Sequence, residues 1–286
     1  SMKIMVTGAG GFVGSRLVAY YGEKYDVWGV THKDLDLTDE AAVFKTVENY
    51  RPDVLLHCAA ISDVAECSKK PELSHAVNVL GTEYLAKACK KTETKLVMCS
   101  SDQVYFRKRG EQESLEAYLE PHREDDREIP EPLYGKQKLQ GEEICLKYQP
   151  ESVVLRLSWM YDSLTEEELA KGRRNLATML REMLDQKQSR KFSDTDHRGA
   201  TDVNLVVKNM EAAWKLPGGI YNYGSSNDAD LYETVRCVMA SFGQEALVEK
   251  ATGGNVRNLT MCTDKLARHG IFFPDTAAGL EAFLRQ

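Results

Sequence analysis

The chain lacks any run approaching the ~20 consecutive apolar residues that a membrane-spanning helix requires, so no such helix is expected. It also lacks an excess of positive charge. With 37 Lys and Arg against 44 Asp and Glu, the formal net charge is −7, which argues against nucleic acid as a standing partner, since binding phosphate backbones needs clustered cations. The seven cysteines, at positions 58, 67, 89, 99, 145, 237 and 262, never form a Cys-x-x-Cys pair. Several fall in apolar runs, where a reduced thiol behaves as a small hydrophobe, so neither a disulfide framework nor a metal site is expected. Internal repeats and low-complexity segments are missing too. Ser1 ahead of Met2 reads as a cloning remnant, and no signal peptide is recognisable before the first strand, so a cytoplasmic location is expected. The 286 residues, 42% of them apolar, suffice for one large core or two lobes.

What is present is an alternating pattern. Strands are expected at Lys3–Val6, Tyr25–Val30, Asp53–Cys58, Lys95–Cys99 and Val153–Leu157. Helices are expected between them at Phe12–Tyr21, Ala41–Tyr50 and Pro71–Lys91. Alternation of buried strands with helices predicts a doubly wound α/β fold with a parallel sheet covered on both faces. Residues 2–157 would form this nucleotide-binding part. Residues 158–286, where the pattern loosens into helices at Leu164–Lys171 and Asn175–Gln186 and a polar loop around Asp194–Thr201, would form mostly a smaller α/β substrate lobe, with some segments returning to the first part. The acidic, proline-containing stretch Glu111–Glu131 reads as a solvated loop or as a lid near the site.

Thr7-Gly8-Ala9-Gly10-Gly11-Phe12-Val13-Gly14 joins the first strand to the first helix. A pyrophosphate has to lie against backbone N–H groups at a helix start, where the dipole is positive and side chains would obstruct it. Gly8, Gly11 and Gly14 suit the tight turn, the close approach and the packing of helix on strand. Phe12 and Val13 would offer the first amides of that helix. At the end of the second strand, an acidic residue would hold the ribose hydroxyls of NAD, whereas positive charge would accept the extra phosphate of NADP. His32 and Lys33 stand there, with Arg16 available from the first helix, so NADP(H) is favoured over NAD(H); the alternative is that His32 and Lys33 are solvated loop residues.

Tyr134 and Lys138 are four residues apart and would share one helix face. A phenol titrates near 10, and a neighbouring ammonium is expected to bring it toward the working range, making Tyr134 a proton donor to a developing alkoxide. Val97 to Tyr105 contains Ser100, Ser101, Asp102 and Gln103 at a strand's carboxyl end, where active sites of open parallel sheets gather. Ser101 would polarise a substrate carbonyl, and Ser100 would cap the turn.

Together with Asp36-Leu37-Thr38-Asp39, His57-Cys58-Ala59-Ala60, Asn78 with Gly81, Leu155 to Tyr161, Arg198 to Val203 and Gly219 to Asn222, these motifs resemble the extended short-chain dehydrogenase/reductase family, and within it the dTDP-4-dehydrorhamnose reductase branch. The likeness runs along nearly the whole chain. It implies an NAD(P)H-dependent oxidoreductase that reduces the 4-keto group of a nucleotide-linked deoxysugar, with Ser101, Tyr134 and Lys138 as the catalytic set. It also implies that Asp36 and Leu37 flank the adenine, that Cys58, Ala59, Ala60 and Ser100 line the cofactor, and that Lys138 holds the nicotinamide ribose. Asp102, Gln103, Trp159 and Arg198 would face the substrate, unless Trp159 is a core residue and Arg198 a surface one. Gln103, Leu157 and Ala200 replace the Tyr, Thr and Pro usual in the branch, which leaves the sugar open. No metal is expected. An epimerase or dehydratase, or a reductase of another ketone, would use the same triad; the branch also resembles the NADP-binding regulatory subunit of methionine adenosyltransferase. Family members pair through helices like Pro71–Lys91 and Leu133–Tyr148, so a homodimer is compatible with the sequence, although the branch includes monomers.

Overall fold

The computed structural model of the chain describes every residue except Glu128. Two compact units emerge, each assembled from several chain segments. The first comprises residues 1–104, 128–157 and 207–221; the second comprises 105–127, 158–206 and 222–286.

The first unit is organised by β1 (Lys3–Thr7), β2 (Asp26–Val30), β3 (Val54–His57), β4 (Lys95–Ser101) and β5 (Val153–Leu157), with β6 (Gly219–Tyr223) beside β5. The sheet order is β6-β5-β4-β3-β1-β2, and β1 to β5 pair in parallel. β3 and β5 are buried at every position and β1 at all but its first, because helices cover both faces of a parallel sheet and leave no polar alternation. These helices include α1 (Phe12–Gly22), α2 (Glu40–Tyr50), α3 (Gly81–Thr92) and α4 (Leu133–Tyr148). Asp39 caps α2 by accepting from Ala42 N–H, one of the short polar residues favoured there. Met5, Leu55, Leu85, Leu96, Met98 and Val154 form the core between sheet and helices. The order reverses at β1, which has β2 on one side and β3 on the other. Such a switch point opens a crevice at the carboxyl ends of the strands.

The long helix expected over Pro71–Lys91 runs without a break from Pro71 to Thr92, with a π-helical turn at Ala76–Leu80 set between Pro71–His75 and α3. The wider turn accompanies an inward-facing Asn78, whose amide donates to Ile61 O and Gln137 Oε1 and accepts from Ile61 N–H. π-turns are frequent at functional sites. β6 lies too far along the chain, and follows too loose a pattern, to be read as a sheet member from periodicity.

In the second unit a separate core forms around Tyr161, Leu176, Leu180, Met183, Val235, Met239 and Leu280. The polar loop expected near Asp194–Thr201 contains two short strands, Asp196–His197 paired with Arg257–Asn258 and Ala200–Asp202 paired with Trp159–Tyr161. The expected helix Leu164–Lys171 is one short turn, Glu166–Ala170, closed by a Thr165/Glu168 capping box. Asn175 is the cap of Leu176–Gln186 and not its first residue. The Glu111–Glu131 stretch is exposed over most of its length but tied down at Tyr118 and His122: Asn258 Nδ2 donates to Tyr118 O and Glu120 O, and His122 N–H donates to Thr260 O. Glu128 in that stretch lies outside the described residues. No helix is long and apolar enough to cross a membrane among the described residues.

Candidate active site

At the switch point the loop after β1 touches the loop after β3. Gly8 takes φ +68°, and a Cβ there would stand 2.7 Å from Ala59 N; a Cβ on Gly14 would stand 2.0 Å from Gly8 O. Both positions therefore exclude side chains, and the tight turn holds through Gly11 N–H donating to Gly8 O at 2.9 Å. Gly11 is the N-cap of α1. It offers no side-chain cap, and the first turn carries no acidic residue, whereas the caps of most other helices are Asp, Ser, Thr or Asn side chains that accept from their own first turns. An uncapped, uncharged helix start fits a phosphate, which supplies both the acceptor and the negative charge.

Beneath this loop runs a buried polar chain. Thr82 Oγ1 donates to Asn78 O at 3.1 Å, so it accepts from His57 Nε2–H at 3.0 Å; His57 Nδ1 then accepts from Thr7 Oγ1 at 2.8 Å. The Thr7 oxygen in turn accepts the N–H groups of Cys58 and Ala59, at 3.0 and 3.2 Å. A neutral imidazole with Nε2 protonated satisfies every group in that chain. Burial, with the Lys138 charge second, pushes His57 down to about 3. The folded value lies below the ordinary ~6.5, so the neutral ring contributes stability in full above that pH and progressively less as pH falls toward 3. The urea midpoint should accordingly decline below pH ~6.5, and the decline should flatten in His57→Gln; an unchanged slope would show that other groups govern it.

The end of β2 is exposed at His32 and Lys33. The neighbouring carboxylate of Asp34 accepts the Thr31 N–H and hydroxyl through Oδ2, at 2.9 and 3.0 Å, and these bonds hold its pKa down. Arg16 stacks on the Phe12 ring at 4.1 Å and donates to Phe12 O. Asp36 accepts from the Thr38 N–H and hydroxyl. Leu37 is buried in the core against α3. Cys58, Ala59 and Ala60 are half-buried at the end of β3.

Ser101, at the end of β4, and Tyr134 and Lys138, on α4, come together. Lys138 is only 4% exposed; its Nζ donates to Cys99 O at 3.0 Å and lies 5.9 Å from the centre of the Tyr134 ring. The expected lowering of the Tyr134 pKa does not occur. Burial raises it well above the ordinary phenol value, the charge of fully buried Asp102 adds to the rise, and a hydrogen bond with Ser101 opposes both. The ammonium is aimed at a carbonyl, and burial lowers its own pKa, so desolvation dominates at the phenol. The turn cap expected at Ser100 falls on its neighbour. Ser101 caps the turn by accepting from Gln103 N–H at 3.1 Å, while Ser100 donates to Glu142 Oε2 at 2.5 Å.

Three residues that sequence reasoning passed over hold this arrangement. Glu142 is fully buried and paired with Arg156 of β5, with Nη2–Oε1 at 2.7 Å and Nε–Oε2 at 3.0 Å. Its place one turn beyond Lys138 was a signal available in the sequence. Gly135 is the third: a Cβ there would stand 2.5 Å from Gln103 O and 2.9 Å from Pro130 Cβ, so its absence lets the start of α4 press against the serine turn. Gly135→Ala should lower kcat by roughly 10²-fold through displacement of Tyr134, with dinucleotide affinity nearly unchanged. A parallel loss of both in steady-state and binding measurements would point to misfolding instead.

In the second unit the Arg198 guanidinium lies 5.8 Å from the centre of the half-buried Trp159 ring. No group of three His, Cys, Asp or Glu side chains suited to a metal ion occurs among the described residues.

The sequence profile of the RmlD substrate binding domain matches residues 2–258. The chain belongs to this family. Among relatives of known description, it is 36% identical over 162 residues to a dTDP-4-dehydrorhamnose reductase of Mycolicibacterium smegmatis, an alignment covering 56% of this chain and 46% of that protein. It is 31% identical over 258 residues to methionine adenosyltransferase 2 subunit beta of Xenopus laevis, covering 84% and 72%. The fold of this family member superposes on the NADP complex of the Bacillus anthracis dTDP-4-dehydrorhamnose reductase with a TM-score of 0.82 at 21% identity, covering 100% of this chain and 98% of the other.

Proposed function

We propose that the protein is an NADP(H)-dependent reductase of the 4-keto group of a nucleotide-linked 6-deoxysugar. The observation that carries this reading is the convergence of Ser101, Tyr134 and Lys138 at the carboxyl end of the sheet, in the same unit as an uncapped glycine-loop helix start at the switch point. When bound, the dinucleotide supplies the hydride. Phe12, Val13 and Gly14 offer backbone amides to its pyrophosphate, and Gly8 and Gly11 shape the turn. Asp36 and Leu37 flank the adenine. Cys58, Ala59, Ala60 and Ser100 line the floor under the nicotinamide. Lys33 and Arg16 supply positive charge, and His32 a ring N–H, for a 2′-phosphate, which is why NADP(H) is favoured.

Tyr134 is the general acid. Its raised pKa keeps the phenol protonated at neutral pH, ready to protonate the far more basic oxygen that develops as the carbonyl is reduced. Ser101 orients that carbonyl, and Lys138, in a buried environment, provides the positive charge toward which negative charge develops. In the first unit Gln103 stands beside Ser101 for the reacting end of the substrate, while Asp102 is fully buried and accepts from Ser101 Oγ; in the second unit Trp159 and Arg198 offer a ring and a cation suited to a sugar nucleotide.

The relationship to the Xenopus subunit supports a second reading, a regulatory NADP-binding subunit. The intact triad favours the enzyme. The test is nicotinamide absorbance during incubation with NADPH and an enzymatically generated dTDP-4-keto-6-deoxysugar. Net NADPH consumption with reduced sugar formed supports the reductase. Conversion of the sugar without net consumption would assign an epimerase or dehydratase, and tight NADPH binding with no conversion would leave a reductase of another ketone or the regulatory subunit.

A further inference from the structure

Two thiols stand at the centre of the first unit, one of them, Cys58, assigned above to the cofactor floor and the other, Cys99, without a role in the proposed reaction. Cys58 directly follows β3, and Cys99 lies in β4; the register pairs His57 with Met98, so the next residue on each strand is Cys58 and Cys99. Neighbouring parallel strands run ~4.8 Å apart, inside the ~4.4–6.8 Å Cα separation that a disulfide spans. The sulfurs are 3.6 Å apart, both reduced. Cys58 is half-buried while Cys99 is nearly covered, which gives a small oxidant access from the side of Cys58. The Cys58 contact, helped by the Lys138 ammonium bonded to Cys99 O, holds the Cys99 thiol down against burial, while the Cys99 contact and burial push the Cys58 thiol up.

We infer that Cys58 and Cys99 form a peroxide-sensitive dithiol site that oxidises to an intrachain disulfide across β3 and β4. A thiolate attacks hydrogen peroxide, its sulfur becoming a sulfenic acid as the O–O bond breaks and one water is released after protonation. The second sulfur then attacks the sulfenic sulfur, forming the S–S bond and releasing a second water. Two thiols are oxidised by two electrons and one peroxide is reduced to two waters. Of the other cysteines, Cys67, Cys89 and Cys145 are wholly buried, which keeps an oxidant out.

The test is treatment of the whole chain with hydrogen peroxide, followed by thiol titration under denaturing conditions and peptide mapping without reductant. Two of the seven thiols should be lost, a Cys58–Cys99 cross-linked peptide should appear, and dithiothreitol should restore both. Cys99→Ser and Cys58→Ser should each abolish the cross-link, leaving the remaining sulfur over-oxidised. Sulfinic acid at either position in the wild-type chain before any cross-link, or a disulfide using another cysteine while this pair stays reduced, would overturn the inference; mapping of the wild type keeps this readable even if a variant fails to fold. Protection by saturating NADP⁺ rests on the proposed function. Cross-linking at equal rates with and without NADP⁺ would leave the dithiol standing and remove Cys58 from the cofactor floor.

Discussion

Tyr134→Phe should lower kcat by roughly 10²–10⁴-fold, the usual contribution of a positioned general acid, while NADPH affinity stays close to that of the parent. The expectation follows from position: the phenol oxygen is the only part removed, and the ring, 8% exposed in the parent, keeps its packing. The groups assigned to the dinucleotide are on the glycine loop and the end of β3. The raised phenol pKa adds a second signature. Parent kcat should show no loss through neutral pH attributable to deprotonation of Tyr134. Stopped-flow reduction with prebound NADPH separates chemistry from product release. A variant retaining more than about a tenth of the parent rate would remove Tyr134 from the role of acid.

Arg156→Met should cost about 3–5 kcal/mol of stability, the range for breaking a buried ion pair by removing one partner. Glu142, fully buried, would be left with its carboxylate facing the Ser100 hydroxyl and no guanidinium. Removing both partners in Arg156→Met with Glu142→Leu should recover much of the loss, because the desolvation of both charges is no longer required. The two arms separate a structural contribution from a positioning one. If the double variant regains its melting temperature but not its kcat, then the Ser100–Glu142–Arg156 link is what holds the β4 serines and α4 at their working separation. Thermal melts and urea titrations of the parent and both variants measure it, and an Arg156→Met variant within about 1 kcal/mol of the parent would show that the Glu142–Arg156 pair does not hold the core.

How much was legible beforehand can be traced residue by residue. The glycines at 8 and 14 were readable because each needs either a positive φ or a contact that a Cβ would fill, requirements written into residue type. Tyr134 and Lys138 were readable because helical spacing alone puts them on one face. Gly135 was visible in the same motif, yet its function depends on Gln103 and Pro130, and no local rule announces that contact. Asn78 signalled a shared motif, but its π-turn and its bonds to Ile61 and Gln137 need the folded neighbourhood.

The sequence by itself determined the alternation of strands and helices, the phosphate-binding turn and the chemical types gathered at the strand ends, because periodicity and backbone conformation are local properties. Only the tertiary structure decided the sixth strand, the pairing of Glu142 with Arg156, the turn cap at Ser101 rather than Ser100, and the upward shift of Tyr134. Each depends on which groups are buried beside which others. Desolvation, which set the phenol against the expected direction, is a property of the assembled core that no spacing along the chain encodes.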